Sequence, residues 1–311
     1  MFFITCSFFA ALDVLGGGEL YENNMDMKET TPVSPQFETY LIPDKNFMIN
    51  TGSYLLIQAG IMIYFFGLVF INKIATFRPH SERARGIGMW AFKPNWGLQM
   101  LISTKKLYLE SYFDIVLCAF LNALALIEST SPEDFSEFFT GRDNLINQFF
   151  AAIGLFLTFT FPPYVYWIIR SKFSRLADKE VREVHGIFYE GIKVDTMNNA
   201  QYNTYFMLRR LVTVSVLIFM PSLPFFQCQF LMIFSTINLV YIISCRPMID
   251  PASNKIEIFN EFCVVICTHL VNVLLNAAVP VDFREEIGWV LIIVAVFNIG
   301  SNLCLTILSS I

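Results

Sequence analysis

Seven long apolar stretches alternate with polar ones, near residues 48–72, 107–127, 147–170, 207–222, 224–245, 257–279 and 286–310. Most are close to the roughly 20 residues a helix needs to cross a hydrocarbon core about 30 Å thick. The pattern therefore predicts an all-α fold, a polytopic bundle of about seven transmembrane helices. Pro221 and Pro224 leave room only for a tight hairpin between the fourth and fifth spans. Pro162 and Pro163 fall inside the third span, where each removes a backbone donor and a kink is expected.

The polar stretches are not equivalent. Of the 21 Lys and Arg residues, 17 fall after the first, third and fifth spans, from Lys73 to Lys106, from Arg170 to Arg210, and at Arg246 and Lys255. Only Lys28, Lys45, Arg142 and Arg284 lie in the other stretches, beside acids such as Glu133, Glu137, Asp143 and Glu285. Because cytoplasmic loops carry the positive excess, this partition predicts the N-terminus outside and the C-terminus cytoplasmic. Composition agrees: 55% of the 311 residues are hydrophobic and 15% charged, and mean hydropathy is +0.54. That leaves too little polar surface to cover a soluble globule of this size. The net charge of −5 averages an acidic outer face with a basic inner one, so nucleic acid is not implied. The expected partners are membrane lipids, with anionic headgroups favoured at the cytoplasmic face.

Three regions follow from the pattern. Residues 1–16 read as a signal-peptide core without a basic start, or as a truncated transmembrane segment. Residues 17–47, acidic and proline-bearing, read as an exposed outer linker, and 48–311 as the transmembrane domain. Cys6, Cys118, Cys228, Cys245, Cys263, Cys267 and Cys304 lie within or at the ends of apolar segments, so a disulfide framework is not expected. Cys263 and Cys267, four apart, lack a matching Cys/His pair and read as small buried hydrophobes rather than metal ligands.

Some polar residues stand inside the spans, where they are costly and usually face the bundle or a wet cavity. The sixth span carries Glu257, Glu261, Thr268, Asn272 and Asn276 on one face, with His269 at its margin. The seventh repeats the pattern with Asn298, Asn302, Thr306 and Ser309, and the second has Glu110, Asp114, Cys118 and Asn122 at four-residue steps. Three stripes that could meet predict a polar pathway, for which a cation is the candidate occupant. The competing reading is interhelical packing, with the carboxylates complementing helix N-termini. No nucleotide-binding glycine loop, histidine-rich cluster or nucleophile–base pair is present, so neither an enzyme nor a cofactor is expected.

Two inner stretches add detail. Residues 73–106 interleave Trp90 and Trp96 with basic residues, as an interfacial anchor does. After the third span, Phe173, Leu176, Ala177, Val181, Val184 and Phe188 recur at helical spacing, which predicts a cytoplasmic helical extension.

Residues Tyr189 to Lys193, Tyr205 to Arg210, Gln227 and Gln229, Cys245-Arg246-Pro247, and Asn260-Glu261 form a recognisable series. This region, 189–276, resembles the closing membrane part of ciliate and other protist multi-pass proteins, which are similar to the fungal TRP-like membrane family. The resemblance covers less than a third of the chain. It implies a membrane module of a family in which some fungal members are linked to calcium entry or to carrier-type transport of flavin-related molecules in internal membranes; for this chain a plasma or ciliary membrane is expected rather than an internal one. Ciliate relatives often carry a cysteine-rich outer region that has no counterpart here, and no re-entrant pore segment stands out. Arg209, Arg210 and Arg246 are expected to anchor spans at the inner headgroups. The expected function is a TRP-like channel or channel-associated transport module. A seven-span receptor-like or structural protein and a solute or lipid carrier are the alternatives.

Overall fold

The computed structural model describes residues 45–77, 96–129, 131–276 and 279–310. The segment 1–16, most of the linker 17–47, and Trp90 lie outside the described residues. Among the described residues the chain is helical, with one isolated antiparallel bridge between Ile192 and Met248. Eleven α-helices are described: α1 (Phe47–Phe77), α2 (Trp96–Glu110), α3 (Tyr112–Glu128), α4 (Pro132–Glu137), α5 (Arg142–Ser171), α6 (Lys179–His185), α7 (Met197–Ala200), α8 (Tyr202–Phe219), α9 (Pro224–Cys245), α10 (Pro251–Leu274) and α11 (Val281–Ser310).

Four of these, α5, α9, α10 and α11, are long and apolar enough to cross a membrane, and a fifth span is formed if α2 and α3 count as one bent pair. They are the helices of an integral membrane protein. The first expected span is also a helix, α1, with an apolar stretch Tyr54–Gly67. The fourth corresponds to α8, whose polar first turn and Arg209-Arg210 pair keep it out of the most apolar set.

The described chain forms two compact units. The first contains α1 to α4, α5 as far as Phe159, and α6. Its core gathers Phe47, Cys118, Ala119 and Ala151, with Phe150 and Leu155 against them. Gly154 leaves room there for the Phe47 ring. A Cβ at this position would stand 2.7 Å from two ring carbons of Phe47, closer than packing allows. The end of the expected linker is consequently buried rather than exposed. Lys45 pairs with Glu128, Asn46 accepts a bond from Asn147 Nδ2, and Asn147 Oδ1 accepts the Met48 amide.

The second expected span is not one helix. It turns through 67° at Ser111, whose hydroxyl donates back to the Leu107 carbonyl four residues earlier. Such back-bonding competes with the regular ladder and bends helices. Glu110 therefore ends α2, exposed and at a helix C-terminus, instead of sharing a stripe and an N-terminal turn with Asp114 and Asn122 on α3. In contrast, α5 continues as one helix through Pro162 and Pro163. Pro162 cannot donate to the Thr158 carbonyl, and that oxygen instead accepts the hydroxyl of buried Tyr112 at 2.8 Å. Within hydrocarbon, a freed carbonyl must find a partner from a neighbouring helix in this way.

The second unit runs from Thr160 to Ala177 and from Phe188 onward, and holds the end of α5 with α7 to α11. The extension after α5 is broken rather than one helix: a 3₁₀ turn at Phe173–Arg175 precedes α6, and another follows at Gly186–Tyr189. Leu176, Val181 and Phe188 are buried as the spacing requires, whereas Ala177 is exposed. The prolyl hairpin joins α8 to α9, and Gln227 Nε2 bonds the Val216 and Leu217 carbonyls near the end of α8. In sequence order α9 packs on α10 and α10 on α11. The outer surface of α11 is apolar, with Trp289, Ile293, Val296, Phe297 and Leu303 all exposed, which suits lipid rather than water.

The α9–α10 turn is closed by specific chemistry. Arg246 takes the left-handed conformation, φ 49°, that ends α9, and Pro247 follows. Asp250 caps α10 by accepting the Ser253 and Ala252 amides, and Pro251 occupies the first helical position. Bonds from the Ser253 hydroxyl and these amides hold the Asp250 carboxyl below the ordinary carboxylate range. A depressed folded value means stabilisation that is present above the unfolded pKa and is lost as pH falls through the folded one. Wild-type protein in detergent should therefore lose thermal stability on acidification below about pH 4. That part of the pH dependence should be flattened in Asp250→Asn, as checked by melting curves across an acid series.

Candidate functional site

Helix α10 places its polar side chains against three different neighbours. Asn254, one turn in, bonds both the amide and the carbonyl of Met248 and fixes the preceding turn. Glu257, a turn later, accepts the hydroxyl of Tyr202 from the start of α8 at 2.8 Å. Tyr202 is itself held in an aromatic stack between Phe206 and Tyr241, the latter from α9, at centroid distances of 6.1 and 6.4 Å. Glu261, four residues on and so on the same face, forms an ion pair with Arg209 of α8. Glu257 and Glu261 are 9% and 7% exposed.

The opposite flank of the same turn faces α11. Asn260 accepts bonds from Asn298 Nδ2 at 3.0 Å and Asn302 Nδ2 at 2.7 Å, and donates to Asn302 Oδ1 at 3.1 Å. Toward the other end, α9 takes over. Cys228 Sγ donates to the Thr268 carbonyl at 3.4 Å, and Gln229 Nε2 donates to Asn272 Oδ1 at 2.8 Å. The stripe along α10 thus becomes a seam of interhelical bonds running from Glu257 to Asn272.

Other expected site residues stand apart. His269 is exposed, its Nδ1 against the Val265 carbonyl. Asn276 lies beyond the end of α10, where its carbonyl accepts a bond from Arg284 in the turn to α11. It is therefore a turn residue and not a buried intrahelical amide. Asp114 and Asn122 belong to the first unit, Asp114 half-buried and Asn122 buried with its Nδ2 unpaired. The expected anchors also differ from one another. Arg209 is turned into its ion pair, and Arg210, 6% exposed, lies 4.0 Å over the Phe206 ring. Arg210 is thus buried and Arg209 half-buried, and both are engaged by partners inside the second unit. Arg246 is exposed, and Trp96 begins α2.

Several participants carried no signal of their own in the sequence. Tyr202 lies before the apolar stretch 207–222 and Tyr241 within 224–245, neither in a pattern of its own, and Cys228 stands only among the cysteines of the apolar segments. Asn254 precedes the residues chosen for the stripe, although it extends the same three- and four-residue spacing through Glu257 to Glu261. Asn260, the hub to α11, entered only through its place beside Glu261 in the resembling region.

Chemically, the α8–α10 part of the seam is unbalanced. Among the described residues two carboxylates stand beside one guanidinium, which pairs with Glu261, and Glu261 Oε2 is buried without a hydrogen-bond donor. The amide part is closed, since Asn260, Asn298 and Asn302 bond one another. Asn260→Ala should cost about 1 kcal/mol, the scale of interhelical polar bonds in membranes. Asn260→Ala and Asn302→Ala should be non-additive in a double-mutant cycle read by reversible unfolding in micelles. Set against protein-family models, curated proteins and solved structures, the chain matches none of them.

Proposed function

We propose that this is a seven-span membrane protein, N-terminus outside and C-terminus cytoplasmic, whose second unit works as a cation channel or channel-associated transport module. The observation that carries the reading is the pair Glu257 and Glu261, each more than nine-tenths buried, with Arg209 paired to Glu261 and the Tyr202 hydroxyl bonded to Glu257. Uncompensated carboxylates are expensive inside a helix bundle, and in membrane proteins they mark ion and proton pathways. The bonded series from Glu257 through Thr268 to Asn272 extends the polar character along α10. The charge partition of the loops supports the orientation. The resemblance over 189–276 to protist proteins similar to the TRP-like family supports the class; a plasma or ciliary membrane is the proposed location. Nothing in the seam calls for catalysis: its groups bind or pass charge.

A structural or receptor-like membrane module is the second reading, favoured by the closed triad Asn260, Asn298 and Asn302, which is what packing between helices requires.

Topology is tested first. Cysteines introduced as Glu137→Cys or Arg284→Cys should react with an impermeant thiol reagent from outside, and Arg85→Cys or Arg182→Cys should not; reversed labelling would invert the orientation. Transport is tested with the full chain in liposomes carrying monovalent-cation, calcium and pH indicators. Glu257→Gln and Asn272→Leu should slow flux by roughly tenfold or more, equivalent to about 1.4 kcal/mol of barrier. Val264→Leu should leave it unchanged. Equal effects of Asn272→Leu and Val264→Leu, or no flux from folded wild type, would move the assignment to the structural reading.

A further inference from the structure

The acidic pair is incomplete as it stands, and the missing part has a definite chemistry. Glu261 directs one oxygen to Arg209 in a charge-assisted bond. Its other oxygen, Oε2, is buried with no donor, although a buried acceptor of this strength ordinarily costs more unmade than made. Glu257 stands four residues away on the same helix face, at a spacing that brings side chains together. Its Oε1 accepts the Tyr202 hydroxyl, so Tyr202 supplies no positive charge.

The charges facing the pair are few. From α8 come Tyr202 and Arg209, and from α9 comes Tyr241, stacked on Tyr202. Toward α11 the neighbouring groups are the neutral amides Asn298 and Asn302, and on α10 itself Lys255 is exposed. Among the described residues, two carboxylates and one guanidinium leave one negative charge uncompensated in a site where charge is poorly solvated.

We propose that Glu257 and Glu261 hold one exchangeable proton between them, carried on Glu257 and donated to Glu261 Oε2, so that the cation this module takes is a proton. With that proton in place the cluster is neutral, the unmatched acceptor has its donor, and Tyr202 bonds the carbonyl oxygen of a carboxylic acid. Release returns the proton to the aqueous side and leaves the cluster with one negative charge. A metal ion fits less well. A hard divalent cation takes about six or more oxygen ligands. The described residues bring two carboxylates, already engaged by Arg209 and Tyr202, and contain no group of three or more His, Cys, Asp or Glu able to hold a metal.

The inference rests on reading this cluster as the transport site, yet its test reads proton occupancy directly, so absent flux and an absent proton site are separate results. The full chain in lipid nanodiscs is followed by infrared difference spectroscopy through alkaline pH steps. Wild type should lose one protonated-carboxyl band. Glu257→Gln should abolish that band, whereas Glu110→Gln, at an exposed helix end, should leave it. Tyr202→Phe should shift the band by removing the hydroxyl from its carbonyl oxygen, which gives a second reading if Glu257→Gln does not fold. Sodium, potassium or calcium at constant pH should not change it. Absence of the band in wild type, its survival in Glu257→Gln, its indifference to Tyr202→Phe, or its replacement by a metal-dependent change would overturn the proposal.

Discussion

A carboxylate buried in a helix bundle has to be matched inside the protein, and the second unit is organised around that demand on α10. Glu257 and Glu261 require donors and positive charge, and α8 brings Tyr202 and Arg209 at a matching pitch. Meeting that demand sets the register of α8 against α10. Tyr202 is in turn steadied by the ring of Tyr241, which ties the far end of α9 into the same cluster. The turn that positions α10 is equally constrained, through Arg246, Asp250 and Asn254. Polar contacts rather than apolar burial single out this arrangement, because lipid competes evenly for apolar side chains between spanning helices.

The first unit meets the same constraint at the backbone. Proline in a spanning helix frees a carbonyl, and Tyr112 answers the one left by Pro162. Ser111, immediately before it, bends the path of the chain from α2 into α3. One short segment thereby breaks one helix and completes the bonding of another.

Much of the architecture was legible in the sequence. Apolar runs fell on each of the four helices long and apolar enough to span, α5, α9, α10 and α11, and Pro221 with Pro224 placed the hairpin before α9. The polar stripe on α10 was also legible, since helical periodicity alone aligns Glu257, Glu261, Thr268 and Asn272. What periodicity cannot supply is the neighbour on each side. At Arg209 and Arg210 this matters most: a basic pair at the end of an apolar run looks the same whether it meets headgroups or a buried Glu261. The break at Ser111 was hidden because serine is tolerated in spanning helices, and only its back-bond to Leu107 discloses the bend. Asn260 was obscured by lying off the chosen face, although a second face is what a helix with two polar neighbours needs.

The distribution of partners around α10 has a consequence for how the chain is made. A helix carrying Asn254, Glu257, Asn260, Glu261 and Asn272 is a poor substrate for insertion alone, because each polar group must wait in lipid or at its edge for a mate. Its mates are split in synthesis order: Tyr202, Arg209 and Gln229 emerge before it, Asn298 and Asn302 after it. By the order of the chain, the α8–α9 hairpin would be the surface available to receive α10, and α11 would complete its set of partners. Nascent chains halted before α11 are the natural point at which quality control would recognise an unfinished protein, through the exposed side of Asn260.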